Sequence, residues 1–335
     1  MRRCVAARQR FSKVGIFQSA AGLTDGKAFW YNRSMKKMFV AGAVAALSLA
    51  SAFAVDCPQN VREQLSAAAN RRPGTLTAKI AEKHKIVQTD LFHGFVRTTF
   101  DFRGCRAWIV EPSCEPAEGR PWTWTMQWAT AFVPRTPVLH LLRQGWRHVT
   151  IDTFKYKMND EGREISKAFQ DYLVGELGFA QRACLVGMSW GGFFSVRYTA
   201  FNPGGVAAIY LDAPLLNFDN FLSQPHEKVL SSIGVWAEGA PEKWSDDPRM
   251  PVNMAEGVAK SGAPVYLLYG GVDRVVPPAQ NCKMFVPRLK AAGVKVTEVA
   301  RAAYAHHPHG LEVDDAALAE FFKKSFGARA SAKAE

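Results

Sequence analysis

The chain has 335 residues, 48% of them hydrophobic and 21% charged, and a formal net charge of +12. That balance excludes an intrinsically disordered chain and supplies enough apolar mass for a sizeable core. The basic excess does not mark a nucleic-acid binder, because it is concentrated at one end: residues 1–54 hold nine Lys and Arg against one acid, and the rest of the chain carries no comparable basic run.

From the N-terminus, Met35-Lys36-Lys37-Met38 precedes an apolar, alanine-rich stretch over 39–49 and then Ser51-Ala52-Phe53-Ala54. A charged start, a short apolar core and an A-x-A exit predict a secretory signal peptide at 35–54, with 1–34 an unused upstream extension. The stretch is too short to span a bilayer comfortably, so no stable membrane anchor is expected. The expected product is an exported protein, periplasmic or extracellular, with 55–335 as a single domain.

Short helices are predicted over 61–69 and 76–83, around the Arg72-Pro73-Gly74 turn. Residues 92–102 alternate as a strand does, and Gly104 with Cys105 turns the chain into a second strand over 106–111. A strand over 121–126, a helix opening at 137–142, a strand over 148–152 and a longer helix over 161–177 follow. Further strands are predicted at 183–186, 208–212, 265–269 and 294–299. The alternation of strand and helix predicts an α/β fold, with a mostly parallel sheet covered by helices on both faces. About 215–262 does not fit one helix and is read as a lid insertion. It carries Phe218, Phe221, Trp236 and Trp244, equally able to line a pocket or to form the lid's own small core.

The strand at 183–186 runs into Gly187-Met188-Ser189-Trp190-Gly191 and then into a helix. Strand, sharp turn and helix around G-x-S-x-G is the setting in which a serine hydroxyl stands clear of a sheet. The positions two before and two after the serine are pressed together and need small residues. Serine is a poor nucleophile without a base, and the base needs an orienting acid. Two aspartates end strands downstream: Asp212, in Tyr210-Leu211-Asp212-Ala213-Pro214, and Asp273, in Gly270-Gly271-Val272-Asp273-Arg274. The glycine-rich loop favours Asp273, with Asp212 as the alternative acid. Beyond the last strand comes Tyr304-Ala305-His306-His307-Pro308-His309-Gly310. Three histidines in four positions lack further ligands at metal spacing, so no metal is expected.

GMSWGG, GGVDRVVP and AHHPHGL, in that order, resemble the α/β-hydrolase superfamily over roughly 92–322, in the manner of a secreted bacterial serine esterase. The last segment looks like the G-H-x-P-H of esterases and related hydrolases, with Ala305 in place of glycine. Pro121-Trp122-Thr123-Trp124 looks like the P-W-x-W strand that precedes the oxyanion loop in bacterial hydrolases. The resemblance implies an α/β-hydrolase fold, Ser189 as nucleophile, His306 as base, His309 as a neighbour and His307 outward or packing. Asp273 then orients the base. The backbone N–H of Trp190, with Gln127 as second donor, forms the oxyanion hole.

The expected function is an exported carboxylic-ester hydrolase acting through an acyl-enzyme on a small-molecule or glycan-linked acyl ester. Peptidase chemistry on the same fold ranks lower, because such peptidases often carry a propeller for which the chain is too short. A catalytically inactive binding protein is the third reading. No cofactor is expected: the glycines at 187, 191 and 192 lack phosphate-binding spacing and a P-loop lysine. Export makes the cysteines candidates for disulfides. Cys184 is the expected free thiol. The expected pairs are Cys57–Cys105 with Cys114–Cys282, or Cys57–Cys114 with Cys105–Cys282.

Overall fold

The computed structural model describes residues 75–219, 227, 233–236, 241–306 and 308–331. The upstream extension, the signal peptide, the helix at 61–69, Cys57, Phe221 and His307 lie outside the described residues.

Among the described residues, nine strands form one open sheet in the order β1-β2-β3-β5-β4-β6-β7-β8-β9. They are β1 Ile86–Phe92, β2 Phe95–Phe102, β3 Cys105–Val110, β4 Trp122–Thr125, β5 Arg147–Ile151, β6 Ala183–Met188, β7 Val206–Asp212, β8 Val265–Gly270 and β9 Val296–Arg301. The first three are antiparallel, as is the β3–β5 pair, and from β5 through β9 every pairing is parallel. β1 is absent from the sequence reading. Its residues are mostly exposed or half-exposed, so no apolar face marks it out. Two tight hairpins join β1–β3, at His93-Gly94 (φ 50° and 89°) and Arg103-Gly104 (φ 48° and 73°). Positive φ at both turn residues matches the right-handed twist of the strands.

Helices α1 Thr75–Ala81, α2 Val138–Leu142, α3 Asp160–Gly175, α4 Trp190–Phe201, α5 Ala255–Ser261, α6 Cys282–Ala291 and α7 Ala316–Ser331 surround the sheet. Strand alternation divides the core into two layers. Leu185, Ile209 and Leu267 face Phe169 and Leu173 of α3, Phe193 and Val196 of α4, and Phe285 and Leu289 of α6. On the other face, Cys184, Val186, Tyr210 and Leu268 pack with Leu139 of α2 and with Leu318 and Phe322 of α7. The start of α3 is fixed by Asn159, whose side chain accepts from the Gly162 N–H at 3.0 Å.

Within the insertion, Phe218, Trp236 and Trp244 are buried in the first layer. Phe218 stacks on Phe193 of α4 at 5.0 Å, and Trp236 meets the same ring edge-on at 5.8 Å. The described aromatics of this segment therefore extend the main core. Trp122 and Trp124 are fully buried, as strand alternation requires, with Trp128 only partly so.

The disulfide expectation is corrected. Cys105 opens β3 and Cys282 opens α6, and both are buried free thiols. Neither pairing scheme survives, since each needs Cys105 or Cys282 to be bonded. Burial also raises the Cys282 thiol well above its ordinary pKa, which keeps it protonated and inert. No helix among the described residues is long and apolar enough to cross a membrane.

Candidate active site

β6 delivers Ser189 to the carboxyl edge of the sheet, and α4 begins at the next residue. The serine holds φ 51° and ψ −118°, a strained conformation for a residue with a side chain. The neighbouring glycines permit it. A Cβ at Gly187 would lie 2.5 Å from Ser195 Oγ and 2.7 Å from the Gly191 carbonyl oxygen, and one at Gly192 would overlap Pro214. The elbow is pinned by three backbone bonds. Ser189 N–H donates to the Asp212 carbonyl at 3.0 Å, and the Ser189 carbonyl accepts from Gly192 and Leu215, each at 2.9 Å.

Asp273 lies just beyond β8, and His306 in the segment after β9. The His306 Nε2 is 3.1 Å from Ser189 Oγ, and its Nδ1 is 2.7 Å from Asp273 Oδ2. Both His306 and Asp273 are buried. The other Asp273 oxygen accepts from the Val275 and Val276 N–H groups at 2.8 and 2.9 Å, so the carboxylate cannot swing away from the ring. A carboxylate can only accept, so Nδ1 carries the proton and Nε2 presents its lone pair to the serine hydroxyl.

Asp212, the alternative acid, is fully buried but turned to another task. Its Oδ1 accepts from the His309 N–H at 3.1 Å. Its Oδ2 accepts from the Gly310 N–H at 2.6 Å and the Tyr210 hydroxyl at 2.5 Å. The Tyr210 oxygen in turn accepts from Gly310 N–H at 2.9 Å. Asp212 thus anchors the segment that carries His306, while its backbone carbonyl holds the nucleophile. Burial pushes its carboxyl up to about 6, against the pull of these donors and of nearby His306. His309 packs its ring on Phe132, with centroids 3.9 Å apart. The role of Tyr210 escaped the sequence reading. Its one signal is position: two residues before Asp212 on the same strand, it shares that residue's face.

The Trp190 backbone N–H stands in the first turn of α4, where helix geometry leaves donors without intrahelical partners. Gln127 follows β4 and packs against the elbow: its backbone nitrogen lies 3.4 Å from where a Cβ on Gly191 would be. Its side-chain Nε2 is buried and meets no acceptor. Among the described residues, no group of three or more His, Cys, Asp and Glu side chains is placed to share a metal ion.

No family model matches the chain, and no curated protein matches it. Solved structures do. Puromycin hydrolase superposes with a TM-score of 0.52 at 20% identity, over 73% of this chain and 40% of that one. A variant of puromycin hydrolase complexed with PGG gives 0.51 at 18%, over 73% and 39%. A candidate dipeptidyl aminopeptidase IV from Bacteroides ovatus gives 0.50 at 11%, over 73% and 35%. The chain spans about two fifths of the length of these structures. It has the α/β-hydrolase fold, with a mostly parallel, open sheet. The expected preference for esters over peptides is corrected by these neighbours, which are a puromycin hydrolase and an aminopeptidase rather than esterases.

Proposed function

We propose that this chain is a serine hydrolase that cleaves amide bonds in short peptides or related acylamino compounds through an acyl-enzyme on Ser189. The observation that carries the reading is the hydrogen-bonded relay from Asp273 through His306 to Ser189, at 2.7 and 3.1 Å. One structural neighbour, a candidate dipeptidyl aminopeptidase IV, supports an amide rather than an ester as the bond cleaved.

In this mechanism His306 Nε2 takes the hydroxyl proton as Ser189 Oγ attacks the scissile carbonyl. Asp273 stabilises the imidazolium that forms, and the same proton passes to the departing amine. Developing negative charge on the carbonyl oxygen falls to the N–H of Trp190 and to Gln127, each donor lowering the barrier by about 3 kcal/mol. Water, deprotonated by His306, then releases the acyl group. Export through the signal at 35–54 is part of the proposal. Its test is the N-terminal sequence of protein recovered outside the cytoplasm, where a start at Val55 supports it and an intact leader refutes it.

The test of the chemistry is labelling with a fluorophosphonate, followed by mass spectrometry, on the parent protein and on Ser189→Ala. One adduct on Ser189, lost in the variant, together with turnover of aminoacyl anilides, is the expected result. Folded protein that takes no label would refute the reading.

A further inference from the structure

Phe154 sits between the two elements proposed to bind the oxyanion. Its ring lies 5.1 Å from that of Trp128, which follows Gln127, and 5.7 Å from that of Trp190. Over this cluster stands an ammonium group: Lys157 Nζ is 3.1 Å from the Phe154 ring centroid and 4.9 Å from that of Trp190. The backbone spends strain to put it there. Lys157 and Met158 both adopt left-handed conformations, φ 45° and 52°, which cost side-chain-bearing residues energy. The Trp236 indole N–H donates to the Lys157 carbonyl at 2.9 Å, and Gly234 packs beside the lysine stem.

The neighbouring cations are already engaged. Arg197 and Arg249 both stand over the Trp236 ring. Arg197 donates to the carbonyls of Met158 and Arg249, and Arg249 pairs with Asp247. Lys157 has aromatic faces but, among the described residues, no carboxylate bonded to it; Asp152 acts on it only through space. A half-buried ammonium with no carboxylate bonded to it is costly, and an arriving anion would complete it.

We propose that Lys157 selects substrates carrying a carboxylate within about one residue of the scissile bond, with the ammonium as its partner and Phe154 and Trp190 as the apolar floor. This rests on the amide-hydrolase reading for the identity of the substrate, but the anion site can be tested without turnover. Burial lowers the lysine to about 8, with Asp152 opposing the shift, so the partnership fades as pH rises through that value.

The experiment is calorimetric binding to Ser189→Ala protein, which cannot consume the ligand. The probes are N-acetyl-Phe-Ala against its C-terminal amide, and N-acetyl-Glu-Ala-amide against the Gln analogue. The two pairs separate a terminal carboxylate from a side-chain one. At about pH 7 the acid of at least one pair binds roughly 10- to 100-fold more tightly, as a charge-assisted hydrogen bond implies. The ratio falls to about one in Ser189→Ala/Lys157→Met and is kept at least in part in Ser189→Ala/Lys157→Arg. On the unsubstituted lysine it collapses by about pH 9.5, which tests the idea even where the Met variant folds poorly. Equal binding of acid and amide in both pairs, or a ratio untouched by Lys157→Met, overturns the proposal. Acid preference in Ser189→Ala protein, with a folded parent that never labels at Ser189, would overturn the hydrolase reading and leave the anion site standing.

Discussion

Replacing Asp212 with asparagine separates the two aspartates by function. Asparagine has one acceptor oxygen where the carboxylate has two, so it can serve either the Gly310 and Tyr210 donors or the His309 N–H. Keeping the first set turns its amide toward the His309 N–H, and a buried donor stranded in this way costs about 2–3 kcal/mol. An opposing term comes from charge. A carboxyl raised by burial from 3.8 to about 6 destabilises the fold by roughly 3 kcal/mol once ionised. That stability is present below the ordinary carboxylate range and is lost as pH rises through about 6; asparagine removes the dependence. At neutral pH the two terms nearly cancel, so the urea midpoint should move little. Activity should not be spared, because the released segment carries His306. A displacement on the order of 1 Å costs about 100-fold. The assay is the second-order rate of fluorophosphonate inactivation, read beside urea unfolding and against Asp273→Asn. The latter should lose about 10⁴-fold, since asparagine at that position favours the wrong imidazole tautomer. If Asp212→Asn gave the larger loss and Asp273→Asn the smaller, the assignment of the two acids would be wrong.

Gly192→Ala should lower the urea midpoint by the equivalent of about 1–3 kcal/mol and slow labelling of Ser189, because the added methyl overlaps Pro214 across the elbow. Buried His148 bonds Thr123 through Nδ1 at 2.8 Å, and its Nε2 meets no acceptor. Its imidazole is held down to about 3 by burial, so it contributes stability that is full above the ordinary histidine range and is lost as pH falls. Between pH 6.5 and 5 that loss should reach about 2 kcal/mol and vanish in His148→Phe; an unchanged pH slope would refute the assignment. Cys114 is exposed and should react with a thiol reagent in the native protein, whereas Cys105 and Cys282 should react only on unfolding.

The placement of the candidate site was legible where local chemistry is strict. A serine between glycines at a strand-to-helix turn is fixed by backbone geometry that few residues tolerate, and an aspartate past one strand end and a histidine past the last strand lie where the structure brings them to it. The parallel sheet was legible because strands buried on both faces read as continuous apolar runs, as in β6 and β8. β1 was not, since an exposed edge strand has no core to imprint an alternation on it. Lys157 was invisible for another reason: its position beside Trp190 follows from a strained turn after β5, and nothing in Lys155-Tyr156-Lys157 records that turn. Cysteine pairing failed because composition gives a count while bonding needs proximity. The bond cleaved was not legible from the three groups, whose arrangement is the same for esters and amides.

The backbone of Ser189 carries a further consequence. At φ 51° and ψ −118° it sits where only glycine rests comfortably. Glycine at this position should therefore raise the melting temperature, by the equivalent of about 1–2 kcal/mol, while abolishing labelling. A screen for thermostability alone would favour loss of the nucleophile. Alanine keeps the tension and removes only the hydroxyl, which makes it the matched inert form for binding work.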